Sequence, residues 1–227
     1  MIRRLALQSV CVLRNIPSAA LQGSVYASTQ AQPQRQNRTM GDVIQRVLDD
    51  HSEIKHAYER LQQLQGEEAD KWFNQLIWSI AKHSAAEELI VYPMLDKLGG
   101  RGKALAEKSR QDHQKTKEVL CELDGKKVTP DVRKKIEQMM SELLEHIGME
   151  EGKDGDLEVI RQGIAPDELM DAGKQYERTR MFVPTHPHPN APDKPPFENV
   201  AGLLALPMDK LRDLFRSFPD EVKKGGR

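Results

Sequence analysis

The central part of the chain carries apolar residues at alternating spacings of three and four, which is the period of amphipathic α-helices. From Asp42 onward this pattern forms four long segments that contain almost no proline. Short glycine-bearing breaks separate them near Gly66, near residues 99–102 and between Gly125 and Thr129. Because connections this short make neighbouring helices antiparallel, the pattern predicts an all-α fold, an up-down four-helix bundle.

Local signals mark where some of these helices begin and bend. Asp42 followed by Gln45 is a capping-box arrangement, and Thr129 precedes Pro130 at a first helical position. Inside the second segment, Pro93 has no N–H to donate, so it predicts a kink or an end near Tyr92.

Polar residues interrupt all four apolar stripes at mid-length. Counting outward from each turn at the α-helical rise of about 1.5 Å per residue puts the four histidines in roughly one layer of the bundle. Within the second and fourth helices, a glutamate follows the histidine by four residues and therefore shares its helix face. The interrupting residues, in helix order, are His51, then His83 with Glu87, then His113, then His146 with Glu150.

This layer has the composition of a metal site. A lone histidine on an apolar face is usually a hydrogen-bonded core residue, but two carboxylates at core positions require a cation. Two histidines for each of two ions, with Glu87 and Glu150 bridging, leave coordination positions open for oxygen or water. Such mixed imidazole and carboxylate ligation favours iron, with manganese or zinc as alternatives.

The sequence also repeats. DHSEIK at residues 50–55 matches DHQKTK at 112–117 with an offset of 62, and HSAAEE at 83–88 matches HIGMEE at 146–151 with an offset of 63. The first two helices are therefore interpreted as duplicated in the last two, with the metal pair on a pseudo-twofold axis. The final glutamate of each match is expected to point away from the layer, although Glu151 could replace the residue before it as a ligand.

These ordered motifs resemble the hemerythrin family, in particular its HHE cation-binding domains, over roughly residues 42–160. The resemblance implies a four-helix bundle with a non-haem di-iron centre, in proteins that bind oxygen, store or sense iron, or respond to oxygen and nitric oxide. The proline-rich C-terminal part is similar to that of fungal-type members. Transferred residue by residue, the implied ligands are His51, His83, Glu87, His113, His146 and Glu150.

Departures from the oxygen-carrying members shape the functional expectation. Lys117 stands where those members have a fifth histidine. Those members also have an aspartate five residues after the last histidine, whereas this chain has Glu150 at four residues and Glu151 at five. We therefore expect a metal-binding module for iron handling, or for oxygen and nitric oxide binding and sensing, rather than a simple carrier. The alternatives are a di-iron oxidase or peroxidase-type enzyme acting on oxygen, peroxide or ferrous iron, and a metal-free scaffold.

Four further side chains carry expectations of their own. Lys55 and Lys117 each lie four residues past a predicted ligand, and either extend to solvent or donate a hydrogen bond to oxygen at the metal pair. His56 falls off the stripe and is expected to be exposed. Cys121 is expected to be a small core residue of the third helix.

The first 41 residues differ in composition from the rest. They contain several arginines and no acidic residue before Asp42, as mitochondrial import signals do. A secretory signal and a disordered tail are the alternatives, and without import the protein would be cytoplasmic.

With residues 42–162 as the bundle, residues 163–227 form a proline-rich extension with short helices near 166–179 and 207–216. In it, His186 and His188 are expected to face solvent, and the alternatives are that they cover the site or coordinate the metal weakly.

Charge and cysteine content exclude other classes. Lys and Arg number 34 against 35 for Asp and Glu, so the net charge of −1 gives no field that would attract nucleic acid. No stretch reaches the roughly 18 apolar residues of a membrane span. The two cysteines lack CxxC spacing, so no disulfide framework or cysteine zinc site is indicated. The pattern makes no prediction of oligomeric state.

Overall fold

A computed structural model describes residues 41–190, 209–210, 212–214 and 216–224, and within these ranges every regular element is helical. The predicted import signal and much of the proline-rich extension lie outside the described residues. A π-helical turn, Glu87–Val91, joins α2 to α3. The α-helices are α1 Val43–Gln63, α2 Gly66–Ala86, α3 Tyr92–Leu98, α4 Gly100–Leu123, α5 Pro130–Glu150, α6 Asp156–Gly163, α7 Pro166–Arg180 and α8 Asp220–Lys224.

The predicted all-α bundle is confirmed. The four bundle helices are α1, the α2–α3 pair, α4 and α5. The breaks between them fall at the glycines that the sequence indicated. Asp42 caps α1 by accepting a hydrogen bond of 2.9 Å from the backbone N–H of Gln45, and Thr129 caps α5 by accepting one of 3.3 Å from that of Val132.

Two apolar clusters lie on either side of the polar layer. Along α1, Val47 belongs to one cluster and Ile54 to the other, and His51 lies between them. Along α2, Ile80 belongs to the cluster of Ile54 and Ala86 to the cluster of Val47, and His83 lies between them. Apolar side chains therefore close both ends of the polar layer and exclude water from it.

Of the two effects predicted for Pro93, a kink or a helix end, the helix end is wrong, and the irregularity in the helix is a π turn. The helix does not end near Tyr92 but passes through the π turn and continues to Leu98. The Tyr92 backbone N–H donates to the carbonyl of Glu87, five residues earlier. The change of hydrogen-bond register comes just before Pro93, so its missing N–H falls in the first turn of α3.

The C-terminal extension adds helices to the bundle. The predicted helix near 166–179 is present as α7, which packs on α1. At Gly173 a Cβ atom would lie 2.5 Å from the carbonyl oxygen of Gly41, so the close approach requires glycine there. Of the helix predicted near 207–216, residues 209–210 and 212–213 are helical, and residues 207, 208, 211 and 215 lie outside the described residues. No helix in the described part of the chain is long and apolar enough to cross a membrane.

Candidate metal centre

The structure brings all six predicted residues together in the middle of the bundle. Each is buried, with exposed fractions from 0% to 3%. Oε2 of Glu87 lies 3.3 Å from Nε2 of His83 and 3.4 Å from Nε2 of His113. Each glutamate thus contacts one histidine of its own half and one of the other half. The second glutamate, Glu150, contacts Nε2 of His146 at 3.2 Å and Nε2 of His51 at 3.3 Å.

The donor atoms form two overlapping groups that could hold metal ions. One group contains His51, His83, Glu87 and Glu150, the other His113, His146 and Glu150, and within each group the donor atoms lie within 4.8 Å of one another. Glu150 belongs to both groups. The arrangement is therefore less symmetric than the predicted pair of bridging glutamates.

Several inward-facing atoms of this layer have no hydrogen-bond partner among the described residues. They include Nε2 of His51, His83 and His146, Oε1 of Glu87 and Oε2 of Glu150. Buried polar atoms are normally satisfied, and imidazole nitrogens with carboxylate oxygens are a suitable donor set for iron, manganese or zinc. The residues present therefore fit a metal site, while their assignment as ligands stays a prediction.

A second layer of carboxylates faces the outer ring nitrogens of the histidines. Nδ1 of His51 donates a hydrogen bond of 2.9 Å to Glu151, and Nδ1 of His113 lies 3.4 Å from Glu88. Both glutamates were expected to point away from the site. That expectation was wrong for a geometric reason, because these residues project sideways from their own helix toward the histidine of the neighbouring helix.

Two aspartates and two lysines extend this outer layer. Nδ1 of His83 lies 3.9 Å from Asp50, and Nδ1 of His146 lies 3.7 Å from Asp112. The repeat thus includes the outer layer, since each aspartate directly precedes a site histidine. Nζ of Lys55 lies 2.9 Å from Glu151, and Nζ of Lys117 lies 2.6 Å from Glu88. Both lysines are therefore bound to outer carboxylates and do not donate into the inner layer.

Tyr92 is a site residue that the sequence patterns missed. Its hydroxyl lies 3.1 Å from Oε2 of Glu87, 3.1 Å from Nε2 of His113 and 3.3 Å from Oε1 of Glu150. In the internal repeat, the position 63 residues after Tyr92 is Gly155, so this side chain has no counterpart in the second half. The phenol breaks the pseudo-twofold symmetry at the middle of the site.

Comparison with known proteins agrees with this geometry. The hemerythrin HHE cation-binding domain matches residues 42–156, the stretch that contains every residue of the inner layer. The chain belongs to the hemerythrin family. An uncharacterized hemerythrin-like protein of Schizosaccharomyces pombe is 39% identical over 176 residues, which cover 76% of this chain and 86% of that protein. No solved structure matches the chain.

Family membership makes cation binding the general property of this hemerythrin domain, and its buried His/Glu cluster is a site that could bind the metal. Without a metal the surroundings shift the pKa values of the two glutamates in opposite directions. Burial, together with the negative charge of Glu150, raises the pKa of Glu87 well above its usual value. Burial also acts on Glu150, but His146 and His51 outweigh it and hold its pKa well below the usual value. The surroundings therefore favour the protonated form of Glu87 and the ionised form of Glu150.

Three other sequence expectations can be compared with the hemerythrin bundle. His56 is exposed, as expected. Cys121 is exposed rather than in the core. His186 was expected to face solvent but is buried, and its Nδ1 lies 2.7 Å from Asp124. His188 lies 3.0 Å from Asp209, so neither tail histidine belongs to the inner layer.

Proposed function

We propose that the chain binds two non-haem iron ions in this layer and serves in iron handling or in the binding and sensing of oxygen or nitric oxide. The observation that supports this most is the set of buried imidazole and carboxylate atoms in one layer that have no hydrogen-bond partner among the described residues. In a folded protein such atoms need a partner, and hydrogen bonds within the layer do not supply it. Manganese and zinc are the competing ions.

The proposed division of ligands follows the two donor groups. His51 and His83 would hold one ion with Glu87, and His113 and His146 would hold the other, with Glu150 shared between them. Bound ferrous iron would supply a redox-active Lewis acid with open positions for a small diatomic ligand. The protein itself fixes the imidazole rings through the outer carboxylates and keeps bulk water away through the two apolar clusters.

A second candidate function, a di-iron oxidase or peroxidase-type enzyme, is favoured by Tyr92. Burial raises the pKa of the Tyr92 phenol well above its usual value, so the hydroxyl keeps its proton at neutral pH. It lies beside both carboxylates, where it could relay a proton from the Glu87 carboxyl to a reaction that consumes protons. This observation supports turnover specifically, since simple binding of a diatomic ligand needs no proton.

Absorption measured through repeated oxygen cycles tests both candidates. Protein loaded anaerobically with ferrous iron is exposed to oxygen, then deoxygenated, several times. A spectral change that reverses in every cycle supports oxygen binding, whereas a change that persists, with oxygen consumed, supports turnover. A Tyr92→Phe variant should leave reversible binding possible but slow turnover. If neither oxygen nor nitric oxide changes the spectrum of the loaded protein, sensing and turnover are both rejected, and iron handling is left.

We also propose that residues 1–41 direct the protein to mitochondria. The support is their arginine content and the lack of any acidic residue before Asp42. Fusion of these residues to a fluorescent protein tests the proposal in cells. Diffuse cytoplasmic fluorescence, or entry into the secretory pathway, would reject it.

A further inference from the structure

The two halves of the centre differ in how their outer aspartates are covered. Asp50, beside His83, is 2% exposed. The hydroxyl of Tyr176 donates a hydrogen bond of 2.8 Å to its Oδ2, and Arg180 contacts its Oδ1 at 2.9 Å. Both partners belong to α7, so the C-terminal extension covers the outer side of this half.

The repeat partner of this aspartate, Asp112, has a different environment. Its side chain is 14% exposed, and its partners are the amines of two lysines at the surface. Lys108 approaches to 2.6 Å and Lys115 to 3.3 Å, with side chains 54% and 64% exposed. Ion pairs this exposed contribute little to stability, so these lysines can move away from Asp112 at little cost.

A cleft between α4 and α5 lies beside this pair and extends to the side chain of His146. It has a volume of about 340 Å³, and its walls include Asp112, Glu142, Glu145 and His146. The His146 side chain retains an exposed fraction of 4%, whereas those of His51, His83 and His113 retain 0%. Within the described chain, the cleft thus reaches the most accessible of the four site histidines.

We propose that divalent cations enter and leave the centre through this α4–α5 cleft, at the half that contains His146. This inference rests on the proposed function, because it assigns a route to the ions bound there. The carboxylates of Asp112, Glu142 and Glu145 attract a cation along the cleft. A lysine amine is a mobile point charge, so an incoming divalent ion can displace it from Asp112. On the other half of the centre, Tyr176 and Arg180 of α7 cover Asp50 and leave it 2% exposed.

Blocking the cleft covalently tests the route in the full-length protein. Glu145→Cys, in a Cys11→Ser and Cys121→Ser background, is labelled with a bulky maleimide. Glu137→Cys, an exposed position on the same helix outside the cleft, is the matched control with the same charge change. After anaerobic loading with ferrous iron, release to a colorimetric chelator should slow several-fold for the label at 145 and remain unchanged for the label at 137.

Equal release rates for the two labelled proteins would overturn the route while leaving the iron site intact. If the unlabelled proteins take up no iron at all, the proposed function itself fails and the inference fails with it. The two failures are therefore distinguishable by iron content measured before release.

A second experiment tests whether the ion passes through the cleft as a free cation. It compares Lys108→Gln with the control Lys103→Gln on the same helix. Removal of the amine beside Asp112 makes the cleft more negative, so ferrous iron should load faster than in the control. Slower loading would indicate that a lysine-bound anion accompanies the ion, and would contradict passage of the free cation.

Discussion

Nδ1 of His51 donates a hydrogen bond of 2.9 Å to Glu151, while Nε2 of the same ring lies 3.3 Å from Glu150. Two successive glutamates thus lie on opposite sides of one imidazole. The first half repeats this arrangement, since Glu87 and Glu88 each lie 3.4 Å from a ring nitrogen of His113. The repeated Glu-Glu pair therefore joins the two halves, with its first member in the inner layer and its second fixing the ring orientation.

Loss of an outer carboxylate should weaken metal binding without removing a ligand. Glu151→Ala leaves Nδ1 of His51 without its acceptor, so the ring loses both orientation and basicity. We expect the affinity for ferrous iron to fall about 10–100-fold, the usual effect of such partners. Competition with a chelator of known affinity measures it. Glu137→Ala, on an exposed turn of the same helix, is the control, and equal affinities for the two variants would show that Glu151 has no such role.

Removal of the Arg180 guanidinium, which covers Asp50, should destabilise the fold. Arg180→Met leaves the buried carboxylate of Asp50 with the Tyr176 hydroxyl as its remaining close partner. Breaking a buried ion pair from one side costs about 3–5 kcal/mol, so the free energy of unfolding should fall by an amount of that order. Urea unfolding of the metal-free protein measures the change.

The matched control lies on the same helix. Lys174 forms a 2.7 Å pair with Asp171 in which the side chains are 43% and 67% exposed. Such a pair contributes roughly 0–1 kcal/mol, so Lys174→Met should be nearly silent. If Arg180→Met is equally silent, α7 does not stabilise the outer layer.

Metal binding should release protons. In the metal-free chain, burial and the charge of Glu150 raise the pKa of Glu87 well above its usual value, so this carboxyl holds a proton more readily than a free glutamate does. An ion that binds there must displace the proton, and apparent affinity should therefore rise with pH. Calorimetry in buffers of different ionisation enthalpy counts the released protons. Binding heats that do not depend on the buffer would contradict a protonated Glu87.

The sequence was sufficient to predict the bundle and the inner layer because both follow α-helical periodicity. Each stripe residue that interrupts an apolar run, from His51 to Glu150, is buried where the period of 3.6 puts it. The helix ends could be predicted from turn glycines and caps because these act through neighbouring residues alone.

Tyr92 could not be found in this way because the π turn changes the period. Residues five apart lie about 140° from each other around an α-helix, so Tyr92 should not share the face of Glu87. The wider turn brings the phenol onto that face, and Tyr92 has 0% exposure. The signal that was available was Pro93 in mid-helix, which indicated an irregularity without specifying its kind.

The outer carboxylates and the tail contacts depend on tertiary structure. Glu88 and Glu151 lie off the apolar stripe and have the sequence appearance of surface residues, yet each faces a histidine of another helix. His186 is buried by Asp124 and by residues of the C-terminal extension, which no helical period connects to it. Cys121 is exposed because its position on α4 faces away from the bundle axis.

Metal content per chain tests the central claim most directly. Full-length protein is loaded with ferrous iron under anaerobic conditions, freed of excess, and measured for iron and protein, together with two histidine variants. His56→Ala removes an exposed imidazole from α1 and should retain two ions per chain, as the unmodified protein does, whereas His146→Ala should lose at least one. Less than one iron per chain in the unmodified protein, or the same iron content in both variants, would contradict a di-iron centre in this layer.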